Sequence, residues 1–125
     1  MITGIAFTGY SVSNLETART FYEGLLGLSP SVVVGPPEQG LVEYYLGSST
    51  LSITNRLPFL RPSASGGVAV LEVTEIEEFT SELERRGIKL FIPLTRGSSC
   101  QFAMVQDPDG NFLGLHSTRL TSDQI

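Results

Sequence analysis

The sequence predicts an α+β fold of two βαβββ modules whose curved, mixed sheets form a cup. Three observations carry this reading. Strand and helix periodicities alternate in the order β-α-β-β-β, and that order occurs twice along the 125 residues. A capping-box pattern, Ser13-Asn14-Leu15-Glu16, recurs 61 residues later as Thr74-Glu75-Ile76-Glu77, each time between an apolar strand and a helix stopped by glycine. The chain then closes on a hairpin, Cys100 to Ser117, turning through Asp107-Pro108-Asp109-Gly110-Asn111. There proline presets φ, Asp107 can bond its own downstream backbone and Gly110 accepts positive φ.

In order, residues Thr3 to Val12 read as a strand, with Ile5, Phe7 and Gly9 on one face and Ala6, Thr8, Tyr10 and Val12 on the other. Ser13 is the expected N-cap, with Glu16 at N3. The helix stripe is Leu15, Ala18, Phe21, Tyr22, Leu25 and Leu26, and Gly27 suits the left-handed stop. Leu28 to Val34 is the next strand, ended by Gly35-Pro36-Pro37. Leu41 to Leu46 and Thr50 to Thr54 make a hairpin around Gly47-Ser48-Ser49. After a Pro- and Gly-rich linker comes the strand Val68 to Val73. A helix follows on Ile76, Phe79, Thr80 and Leu83, stopped by Gly87; then the strand Lys89 to Leu94, a polar loop Thr95 to Ser99 and the final hairpin. The expected organisation is one domain: module one 1–55, linker 56–67, module two 68–117 and a frayed tail 118–125. Each sheet covers one face with its own helix; the inner face needs a partner, and each strongly curved sheet then lines a cavity.

Composition bounds the function. A 41% hydrophobic, 17% charged chain is an ordinary globule rather than a disordered one. The net charge of −5 argues against a nucleic-acid partner, which calls for a basic footprint. It suits cationic ligands and equally serves solubility. No apolar run is long enough to span a bilayer, and Met1-Ile2-Thr3 opens a strand pattern without a basic leader, so no membrane association is expected. The single Cys100 cannot form an internal disulfide, which fits a cytoplasmic setting, and no neighbouring His or Lys activates it. Phosphate loops, paired-cysteine sites and a Ser-His-Asp order are absent from the sequence.

Taken together, Tyr10-Ser11-Val12-Ser13-Asn14-Leu15-Glu16 through Phe21-Tyr22, Leu26-Gly27-Leu28, Val70-Leu71-Glu72-Val73 and Asp107-Pro108-Asp109-Gly110-Asn111 resemble the vicinal oxygen chelate superfamily. That superfamily includes glyoxalase I, extradiol dioxygenases, fosfomycin-modifying enzymes and bleomycin-resistance proteins. The resemblance covers nearly the whole chain. It implies the two-module cup and, in the family's enzymes, one divalent metal held by His, Gln or Glu. The four ligand positions carry over onto Phe7, Ser52, Val68 and Gly114. Phenylalanine, valine and glycine side chains offer no lone pair, and a serine hydroxyl is a feeble ligand. The resemblance therefore implies the metal-free, bleomycin-resistance-like branch, with no cofactor and no catalytic residue.

The expected ligand-binding residues are Phe7, Ser52, Val68, Phe102, Met104, Phe112 and His116, with Glu43 or Glu72 as an anionic anchor. Phe7 and Phe112 fall on the faces where the family's ligands and pocket residues lie, which makes them candidates for stacking a planar molecule. The expected mechanism is sequestration of a small organic, drug-like compound, planar and cationic by the charge argument, as in antibiotic resistance. A second reading is a metal-dependent lyase or dioxygenase with displaced ligands Glu43, Glu72 and His116. A third is an interaction or regulatory module whose cup is filled by its own side chains. A homodimer is expected, because each module exposes sheet edges and an apolar inner face, and family members commonly pair.

Overall fold

A computed structural model describes residues 1–3 and 5–118. They divide into two compact units: Met1–Ala64 with Pro108–Gly110, and Ser65–Asp107 with the described residues from Asn111 onward. The first unit holds β1 (Thr8–Ser11), α1 (Leu15–Arg19) continued by a π-helical segment (Thr20–Leu25), β2 (Val32–Val34), β3 (Leu41–Leu46) and β4 (Ser49–Thr54). The second holds β5 (Ala69–Glu72), α2 (Ile76–Arg85), β6 (Ile92–Arg96), β7 (Cys100–Gln106) and β8 (Phe112–Thr118). Each unit is a four-stranded mixed sheet, ordered β1-β4-β3-β2 and β5-β8-β7-β6, with its first strand parallel to its last.

The repeat read from the sequence is borne out at the level of register. In the first sheet Gly9, Ser52, Glu43 and Val32 form one row across the strands; in the second, Val70, Gly114, Met104 and Ile92 do. These equivalent positions are 61, 62, 61 and 60 residues apart. The opposite sheet faces are packed. Tyr10, Val42, Tyr44, Leu51 and Ile53 are buried together with Leu15, Ala18, Phe21, Tyr22 and Leu26 of the helical segment. The Tyr22 and Tyr44 rings stack at 6.2 Å. Tyr44 Oη donates to Glu23 Oε2 at 3.0 Å, and Arg19 Nε donates to the same oxygen at 2.7 Å, so one carboxylate ties helix to sheet. In the second unit Leu113, Leu115, Ala103 and Val105 are buried on the face that meets Ile76, Thr80 and Leu83.

The hairpin turn forms as its residues dictate. The Asn111 backbone N–H donates to Asp107 Oδ1 at 2.9 Å and Asn111 Nδ2 to Oδ2 at 2.8 Å, while Gly110 takes φ +86°. Several local expectations are corrected. Asn14, not Ser13, caps α1, its side chain accepting from the Thr17 N–H at 2.9 Å. Ser13 instead gives its N–H and Oγ–H to Asp109, at 3.1 and 2.5 Å, from 96 positions away. The second capping box does not form either: Glu75 sits at the cap in the left-handed region, φ 53°, without a side-chain bond. The π segment arises where the Leu26 N–H reaches the Phe21 carbonyl at 2.9 Å, an i to i−5 closure. β1 begins at Thr8 rather than Thr3, and β5 at Ala69 rather than Val68, because among the described residues the pairing with β4 and β8 starts there. β2 is shorter than expected. β6 is displaced onto Thr95 and Arg96, with an irregularity between Ile92 and Thr95 that absorbs the shift. Thr118 closes β8 and does not fray; the rest of the expected tail lies outside the described residues. No helix among the described residues is long and apolar enough to cross a membrane.

Candidate functional site

The sheet faces away from the helices carry Glu43 and Ser52 in the first unit and Glu72, Phe102, Met104, Phe112 and His116 in the second, whereas Phe7 and Val68 lie just before the strands β1 and β5. In the first unit Ser52 stands between Gly9 on β1 and Glu43 on β3. A Cβ at Gly9 would lie 3.0 Å from Ser52 Oγ and 3.8 Å from the Phe7 ring, so ring and hydroxyl flank one glycine. Phe7 precedes β1 and is 51% exposed. Ser52 is 1% exposed, and its Oγ has no hydrogen-bond partner among the described residues. A buried hydroxyl left unpaired costs about 1–3 kcal/mol, so a polar atom brought to it is rewarded. Glu43 is half-buried beside it.

In the second unit the same face carries Val70, Glu72, Met104, Phe102, Phe112, Gly114 and His116. Glu72 and His116 are opposite one another on the parallel β5–β8 pair, and Phe102 is opposite His116 on β7. His116 Nδ1 lies 2.6 Å from Glu72 Oε1, and the Thr118 N–H donates to Glu72 Oε2 at 3.0 Å. The His116 bond and then the Thr118 N–H hold the Glu72 carboxyl below the usual carboxylate range. Phe112 packs edge-on against Phe91 at 4.7 Å. Val68 lies outside β5 and is exposed; Val70, two residues on, is what faces Gly114. Sequence reasoning missed Gly9, Val70, Phe91 and the Thr118 N–H. Alternation from Phe7 and Val68 points to the first two, whereas nothing local marks the others.

The metal that the family's enzymes hold does not fit the four inherited positions. Beyond the want of donor atoms, a side chain at Gly114 would be crowded. A Cβ there would lie 3.0 Å from Phe102 Cε1, 3.2 Å from its Cζ and 3.0 Å from Val70 Cγ2. Phe102 covers the bare backbone of β8 from the neighbouring strand, the way a cross-strand aromatic shields a glycine. For the displaced set, Glu43, Glu72 and His116, the described residues contain no group of three or more His, Cys, Asp or Glu side chains arranged to hold a metal ion.

Comparison with known proteins agrees with this architecture. An antibiotic-binding protein, TnmS3 from Streptomyces sp. CB03234, superposes with a TM-score of 0.79 at 21% identity, over 94% of this chain and 98% of that one. A glyoxalase family protein from Enterococcus faecalis gives 0.69 at 27% identity, over 90% and 96%. A lactoylglutathione lyase from Agrobacterium tumefaciens gives 0.71 at 22% identity, over 93% and 94%. Among curated proteins none is similar enough to be matched. The sequence profile of one family matches residues 4–115, nearly the whole chain. With the duplicated sheets and the turn chemistry already described, this chain belongs to the Glyoxalase/Bleomycin resistance protein/Dioxygenase superfamily.

Proposed function

We propose that this member of the superfamily binds a small organic molecule without a metal and acts by sequestering it. The observation that carries the reading is the bare Gly114, where Phe102 and Val70 crowd the position of a Cβ at 3.0 to 3.2 Å. Around it the second unit offers aromatic and aliphatic surface, with Val70 exposed and Phe102, Met104 and Phe112 half-buried. In the first unit Phe7 and the unpaired Ser52 hydroxyl supply a stacking ring and a polar contact. Rings with a few polar groups are what an apolar organic ligand needs for affinity and orientation. The antibiotic-binding role of the Streptomyces protein is the model for this reading here. We place the protein in the cytoplasm and read it as a homodimer, on the sequence arguments given above.

The test is a thermal-shift panel of planar aromatic compounds, cationic and neutral, on dialysed protein whose metal content has been measured. The expected result is stabilisation by at least one compound, unchanged by a chelator and weakened in Phe7→Ala, without a stoichiometric metal. One divalent ion per chain that is lost in His116→Ala would overturn the metal-independent reading. A panel that shifts nothing would overturn binding.

A further inference from the structure

Resting on that binding reading, we propose that Glu72 is a positioning residue that keeps the proton of neutral His116 on Nδ1. Nε2 then accepts a hydrogen bond from a hydroxyl on an aromatic ligand lying against Phe102. The argument is one of donors and acceptors. An ionised carboxylate only accepts, so at 2.6 Å from Glu72 Oε1 the Nδ1 atom must donate. The second carboxylate oxygen takes the Thr118 backbone N–H at 3.0 Å, which ties Glu72 to β8 itself and sets the carboxylate between the two groups. A neutral imidazole with its proton on Nδ1 has a bare lone pair on Nε2. Nε2 has no hydrogen-bond partner among the described residues, and the His116 side chain is 30% exposed, so a ligand can reach the ring.

The neighbours select the class of ligand. Phe102 is the cross-strand partner of His116, and its ring lies over Gly114, so an aromatic surface adjoins the imidazole on the same face. Glu72 gives one lone pair of each carboxylate oxygen to His116 and Thr118, and the acceptor this leaves on the imidazole is Nε2. A ring bearing a hydroxyl donor matches that acceptor, which a planar cation without one does not. Phenols and hydroxylated polycyclic aromatics are the class that unites both contacts.

His116 is the one histidine in the sequence, so the test needs no resonance assignment among histidines. In 15N-labelled protein in mildly alkaline buffer, long-range proton–nitrogen correlation should show Nδ1 protonated and Nε2 bare. Glu72→Ala should move the proton to Nε2 in part or whole. Bare Nδ1 in the native protein would overturn the positioning role. The ligand arm compares 2-naphthol with 2-fluoronaphthalene, nearly equal in shape but without the donor. We expect the naphthol to bind about tenfold more tightly. That preference should vanish in His116→Phe and shrink in Glu72→Ala. Equal affinity of the two for the native protein would overturn the acceptor role while leaving binding intact. Binding of neither would remove this inference together with the reading beneath it.

Discussion

Gly114 stands where the family resemblance puts a metal ligand, and one added methyl group tests how crowded that place is. In Gly114→Ala the new Cβ meets Phe102 at 3.0 and 3.2 Å and Val70 at 3.0 Å, several tenths of an ångström inside ordinary contact, from two sides at once. Overpacking of this kind costs about 1–3 kcal/mol. Against it stands the gain of about 0.4–1 kcal/mol from stiffening the unfolded chain, which alanine supplies wherever it fits. The balance is a loss of about 1 kcal/mol, or a melting temperature lower by about 4 °C for a chain of this size. Urea unfolding of Gly114→Ala, Phe102→Ala and the double variant closes the cycle. With Phe102 gone the methyl has room, so the double variant should be more stable than the two single losses summed, by about 1 kcal/mol. Stabilisation by Gly114→Ala alone, or strict additivity, would refute the crowding. Gly114→Glu, which restores the family's carboxylate in name, should then destabilise further and gain no metal affinity.

The other predictions test the frame around the site. Tyr44→Phe removes a donor to the Glu23 carboxylate and should cost about 1–2 kcal/mol at neutral pH. Burial, then the bond to Glu23, raise the Tyr44 hydroxyl well above the ordinary tyrosine value. Its stabilising contribution is therefore complete below about pH 10 and is lost as pH climbs towards the folded value. The variant's stability should fall less steeply than the native protein's in that alkaline range, by chemical unfolding at several pH values; parallel curves would refute the assignment. The two aspartates of the turn should differ in urea unfolding. Asp107→Ala breaks bonds among buried groups and should cost about 2–3 kcal/mol, whereas Asp109→Ala loses half-exposed bonds to Ser13 and should cost about 1. Equal losses would contradict this burial. Light scattering after size exclusion at micromolar concentration should return twice the chain mass, and a monomer mass would sink the dimer.

The duplication and the closing turn were legible because their causes are local. Period-two and helical stripes repeat within a few residues of themselves. Asp107 and Asn111 satisfy one another across five positions and Gly110 supplies the positive φ, so no distant group had to be known. The first capping box failed where a distant group intervened. Ser13 and Asn14 are both competent caps, and Asp109 draws Ser13 away while Asn14 takes the helix. At the four positions that the resemblance makes metal ligands, the want of strong ligands in Phe7, Ser52, Val68 and Gly114 depends on residue type alone. What stands opposite Ser52 and Gly114 was no more than hinted at by alternation. The parallel registers β1–β4 and β5–β8 decide it, setting Gly9 and Val70 there. The Glu72–His116–Thr118 cluster likewise exists only because β5 pairs beside β8, which brings together side chains 44 residues apart. Sequence thus determined which local conformations and donor atoms were available. Strand pairing, cooperative and non-local, decided which of them meet.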